Sequence, residues 1–138
     1  MKLTRRDALA LGAGAVVVAG LPVRAAAPGA DFIEAFTGGA EIADSGVTLI
    51  APEIAENGNS VPIEISADGA SEIMVLALGN PSPQVGTFKF GPLAASQSAS
   101  TRIRLAETQD LLAIARMADG SYAQATAHVK VTIGGCGG

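Results

Sequence analysis

A single cysteine is present in 138 residues, and it stands in Gly134-Gly135-Cys136-Gly137-Gly138. A thiolate can form and break sulfur–sulfur bonds, so this residue can hold a covalent cargo. Glycine has no Cβ and takes either sign of φ, so glycines on both sides make a narrow arm that turns freely. Five extended residues span at most roughly 17 Å. Such an arm can carry a sulfur atom from the body into another protein's cleft, where flanking side chains would clash. It offers nothing to pack, so no fold-stabilising part is expected of it. An unpaired cysteine in an exported protein reads as a reactive or intermolecular thiol. Cys136 is therefore the expected attachment point, and Gly134, Gly135, Gly137 and Gly138 are its arm. Oxidation is also expected to join two copies through Cys136 in a disulfide.

Other chemistries find less support. One Cys and one His cannot make a zinc site of the usual Cys/His type. There is no Cys-x-x-Cys, no phosphate loop and no hydrolase triad, and the acids are scattered. His128 lies eight residues before Cys136. A Cys–His pair is one reading of it, and an exposed strand histidine is the simpler one. The residues describe a carrier on which other proteins act, not an enzyme.

The arm needs a rigid root. Residues 122–133 alternate without a break: Ala123, Ala125, Ala127, Val129, Val131 and Ile133 point one way, while Tyr122, Gln124, Thr126, His128, Lys130 and Thr132 point the other. That is the period of a long strand with one buried face. Shorter strands are predicted over 47–51, 60–67, 72–78, 87–90, 100–106 and 111–117, separated by turn residues such as Asp68-Gly69 and Asp119-Gly120. The segment 72–78 is apolar on both faces, so it is either a central strand or covered by a partner. A short helix is predicted over 31–36, with Phe32, Ile33 and Phe36 on one face and Gly38-Gly39 at its end. Seven strands and one helix fit an all-β, immunoglobulin-like antiparallel sandwich.

Residues 1–27 have a basic start, a 16-residue apolar stretch from Ala8 to Val23 and an alanine-rich end, the layout of an export signal. Thr4-Arg5-Arg6-Asp7-Ala8-Leu9 matches the twin-arginine pattern except for Ala8 where Phe is usual. Cleavage is expected after Ala25 or Ala27, and the location is then the periplasm. The apolar stretch is shorter than the ~20 residues that a spanning helix needs, so no membrane anchor is expected. The remainder, 28–133 with the arm 134–138, carries twelve acids against five bases, a net charge of −7. That argues against a nucleic-acid partner and suits docking on basic protein surfaces.

The terminal Gly-Gly-Cys-Gly-Gly directly after a Val-Thr-Ile strand end, with the Arg5-Arg6 signal, the 31–36 helix and the all-β body, resembles the SoxY family of the Sox thiosulfate-oxidising system. The resemblance implies a heterodimer with a second immunoglobulin-like subunit, SoxZ. It implies that a haem enzyme, SoxAX, couples thiosulfate oxidatively to Cys136, that SoxB removes the terminal sulfone as sulfate, and that SoxCD, where present, oxidises the remaining sulfur. It implies no cofactor on this chain. The rival readings are a periplasmic immunoglobulin-like binding or adhesion module with an incidental thiol, and a thiol redox protein. The sheet bearing the doubly apolar Met74–Leu78 run is the expected SoxZ surface.

Overall fold

The computed structural model describes residues 25–134. The expected signal up to residue 24, and Gly135, Cys136, Gly137 and Gly138, lie outside the described residues.

The described chain begins with helix α1 (Ala30–Thr37) and continues as strands β1 (Ile42–Ala43), β2 (Thr48–Ile50), β3 (Ile54–Asn57), β4 (Val61–Ser66), β5 (Ala70–Ala77), β6 (Gln84–Lys89), β7 (Ser98–Ile103), β8 (Gln109–Met117) and β9 (Tyr122–Ile133). The larger sheet runs β1-β9-β8-β5-β6, with β3 also on β9, and the smaller runs β2-β4-β7. Their inner faces meet in the core. Val61, Ile63, Ile65, Ile103 and Leu105 come from the smaller sheet and its exit. Ile73, Val75, Leu111, Ala113, Ala115 and Val129 oppose them from the larger. Alternation in β4 is the direct cause: Val61, Ile63 and Ile65 are buried while Pro62 and Glu64 are exposed. The architecture is the all-β, immunoglobulin-like sandwich that the strand pattern predicts.

Two strands are additional to the seven. Both β1 and β3 are short and pair parallel with β9 along the same edge, β1 at Tyr122 and Ala123 and β3 from Lys130 to Ile133. The remaining strand pairs are antiparallel. In β3 only Ala55 is buried, so four residues with one inward side chain give no alternation to read.

The doubly apolar segment is a central strand. β5 lies between β8 and β6, with Ile73 and Val75 in the inter-sheet core. Its other face, Met74 and Leu76, joins Leu112 and Ile114 beneath Phe32, Ile33 and Phe36 of α1. The chain's own helix therefore covers this face. Met74 is 3% exposed and Leu76 fully buried, which corrects the expectation that SoxZ docks there. An eight-residue helix is marginal alone, so the half-burial of Phe32, Ile33 and Phe36, each contributing part of the about 1.5–3 kcal/mol of a fully buried side chain, is what holds α1.

Polar groups fix the helix end. Gly38, at φ 65°, closes α1 by donating its N–H to the Glu34 carbonyl at 2.7 Å. A left-handed residue at that position favours glycine. Arg116 on β8 bonds Glu72 at 2.5 Å, donates to the Tyr122 hydroxyl at 3.2 Å and reaches the Phe36 carbonyl at 3.0 Å. Its guanidinium also lies over the Phe36 ring, 5.2 Å from the centroid. The Tyr122 bond raises the Arg116 pKa; burial opposes it, and the Glu72 charge adds a smaller upward pull. Among the described residues no helix is long and apolar enough to cross a membrane.

Candidate functional site

β9 outruns its neighbour. Its pairing with β8 ends at Gln109 opposite Val129, so the next four residues project beyond that strand. β3 takes one edge of the projection, with Asn57 opposite Ile133. Gly58 then donates its N–H to the Ile133 carbonyl at 2.7 Å, and Leu105 donates to the Gly58 carbonyl at 2.8 Å. On the other edge a side chain replaces the missing strand. The Val131 N–H donates to Thr108 Oγ1 at 2.9 Å, and that hydroxyl donates to the Val131 carbonyl at 3.4 Å. The expected buried face of β9 holds at Ala123 and Val129, thins to half-buried at Ala125, Ala127 and Val131, and ends at Ile133, which is 65% exposed. The strand leaves the core before it ends.

Gly134 follows. A side-chain carbon placed on it would overlap the carbonyl oxygen of Ala106. Only glycine lets the chain pass this close, so the first residue of the expected arm packs against the body, contrary to the expectation that the pentapeptide has nothing to pack. The loop carrying Ala106 is held in turn by a buried amide pair. Asn80 Oδ1 accepts from the Ala106 N–H at 2.9 Å and from Gln109 Nε2 at 2.8 Å, while Asn80 Nδ2 donates to the Arg104 carbonyl at 2.8 Å. Gln109 Oε1 accepts from the Gly79 N–H at 2.9 Å, and its Nε2 also reaches the Glu107 carbonyl at 3.0 Å. Asn80 and Gln109 are 7% and 6% exposed, and no buried side-chain nitrogen or oxygen among the described residues lacks a partner. A satisfied network of this kind rigidifies what it touches. It fixes the point from which residues 135–138 depart.

Of the residues singled out in the sequence, Gly134 is therefore at the root, and Cys136 lies outside the described residues. His128 is on the outer face of the larger sheet, with Nδ1 2.7 Å from Asp110 Oδ1 and both side chains more than half exposed. Asn80, Thr108 and Gln109 do not stand out in the sequence, because nothing local links an amide in a Gly-Asn-Pro loop to another 29 residues on. Among the described residues no cluster of three His, Cys, Asp or Glu side chains could hold a metal.

The family described as sulfur oxidation protein SoxY matches residues 33–136 of this chain. The chain belongs to the SoxY family. Among solved structures it is similar to the sulfur carrier protein SoxY from Chlorobium limicola f thiosulfatophilum, at 35% identity and a TM-score of 0.68, over 79% of this chain and all of that one. A superoxide reductase (neelaredoxin) from Ignicoccus hospitalis aligns with a TM-score of 0.56 at 18% identity, covering 63% of this chain and 80% of its own. A putative superoxide reductase from Thermotoga maritima follows at 0.50 and 15%, covering 62% and 84%. These last two are likenesses of fold. No curated protein matches the chain.

Proposed function

We propose that this chain is a covalent carrier of sulfur intermediates in periplasmic thiosulfate oxidation, with Cys136 as the attachment point. One observation carries the reading: the family match runs from the helix through the last strand and ends on Cys136 itself. The Asn80–Gln109 network and the Ala106–Gly134 contact support it, because a carrier must present its sulfur from a defined point. Loading joins the Cys136 sulfur to the outer sulfur of thiosulfate. The thiol loses one proton, the pair loses two electrons to a haem partner of the SoxAX kind, and the product is Cys–S–S–SO₃⁻. Hydrolysis of the terminal group by SoxB releases sulfate and leaves a persulfide. The chain performs neither step. SoxZ is the proposed dimer partner, the twin-arginine signal the proposed export route, and a disulfide between two Cys136 thiols the proposed product of idle oxidation.

Intact mass of the protein purified without reductant tests this. The expected result is adducts of sulfur, sulfite or thiosulfate mass that reductant removes and that Cys136→Ser lacks while staying folded. An unmodified mass before and after exposure to thiosulfate and the partner enzymes would overturn it and favour a binding module with an incidental thiol.

A further inference from the structure

β6 ends the larger sheet on one side and β7 ends the smaller. A cleft of about 250 Å³ is bordered by Asn80, Ser82, Gln84, Arg102 and Arg104. Arg102 and Arg104 are exposed, while Ile103 between them and Leu105 after them are buried, so strand alternation turns both guanidiniums outward on one side. The segment 28–138 is strongly acidic, yet two of its five cations stand here. Neither forms an ion pair among the described residues. The acids on adjoining elements, Glu64 on β4 and Glu107 in the following loop, leave them unpaired, and Arg102 has only a 3.4 Å contact with the Ser60 hydroxyl. Paired guanidinium forks beside a hydroxyl and an amide suit a multi-oxygen anion.

The cleft is coupled to the arm root. Asn80 borders the cleft and holds Ala106, whose carbonyl abuts Gly134. Arg104 lies two residues before Ala106, and Cys136 two residues after Gly134. Each leg is at most about 7 Å when extended, so both start from one contact and a cargo on the thiol comes within reach of the arginines.

We propose that this cleft binds the anionic end of the chain's own cargo, the terminal sulfonate of a thiosulfonate on Cys136, through Arg102 and Arg104. The proposal rests on the carrier reading above. It gives the loaded and spent arms different resting places. The sulfonate offers three oxygen acceptors to the guanidiniums, whereas the persulfide left after sulfate release offers none.

The test loads the reduced protein with tetrathionate. The Cys136 thiolate attacks an inner sulfur, giving Cys–S–S–SO₃⁻ and expelling thiosulfate, so three negative charges stand on each side. Intact mass reads loading, and the arginine Nε–H resonances read the cleft. Loading is expected to shift the resonances of Arg102 and Arg104, while capping with neutral iodoacetamide leaves them in place. Arg102→Gln is expected to cut the Arg104 shift at least twofold without reducing the mass gain, and Lys89→Gln to leave it unchanged. A full mass gain with no arginine shift overturns the subsite and leaves the carrier reading standing. Equal shifts with the neutral cap overturn it as well. A protein that gains no mass sinks the carrier reading and the subsite together.

Discussion

Replacing Asn80 with Ala is the sharpest probe of how the arm root is held. Three hydrogen bonds of 2.8–2.9 Å vanish at once. Gln109 Nε2 retains the Glu107 carbonyl, but the Ala106 N–H and the Arg104 carbonyl lose their side-chain partner. A buried polar group left unpaired costs about 1–3 kcal/mol. Two such groups in a loop that can partly hydrate give about 3 kcal/mol. For a domain of this size each kcal/mol moves Tm by about 4 °C, so a fall of about 12 °C is expected in thermal unfolding followed by circular dichroism. Amide exchange adds a local readout. The N–H groups of Leu105, Ala106 and Val131 should lose protection before that of Ile114 in the core does. A fall of less than about 4 °C with protection at Ala106 unchanged would refute the view that Asn80 organises this end of the sandwich.

Three further expectations concern the same frame. Gly134→Ala forces a carbon onto the Ala106 carbonyl and should cost about 1–3 kcal/mol, seen as a lower urea midpoint with an unchanged slope. Arg116→Ala removes the tie between β8, Glu72 and the Phe36 carbonyl, so α1 should loosen and dye binding to the Met74, Leu76, Leu112 and Ile114 surface should rise; no added dye binding would mean that apolar contact alone holds the helix. Asp119 has its pKa lowered by the Ser121 hydroxyl and then the Ser121 N–H, so its contribution is present above the ordinary carboxylate value and is lost as pH falls through the lower folded one. Asp119→Ala should therefore destabilise at neutral pH and not at the acid end of the titration, which urea denaturation at the two pH values would show.

What could be read in the sequence follows a physical divide. β9 is found from Tyr122 to Ile133, as its alternation predicts, and α1 extends the predicted 31–36 by one residue at each end. Both carry periodicity over a long enough run, or cap signals at both ends. β1 and β3 leave no such trace, since each is held by backbone pairing along the edge of β9. The covering of Met74 and Leu76 by α1 joins segments some 40 residues apart, and a strand apolar on both faces does not say which element supplies the second layer. Cys136 stands out in the sequence by type and spacing, and it lies outside the described residues. The root of its arm does not stand out, because the close approach of Gly134 to Ala106 and the amide pair that sets it are products of tertiary packing.

The pairing of β9 also decides how the domain answers a pull. A partner that grips the C-terminus and withdraws applies tension along the axis of this twelve-residue strand. Ladder bonds stand across the strand axis, so those to β8, β3 and β1 are strained together in shear instead of opening one after another. The terminal segment is thus continuous with a strand whose ladders on β8, β3 and β1 share such a load, so a pull there need not fray the fold behind it.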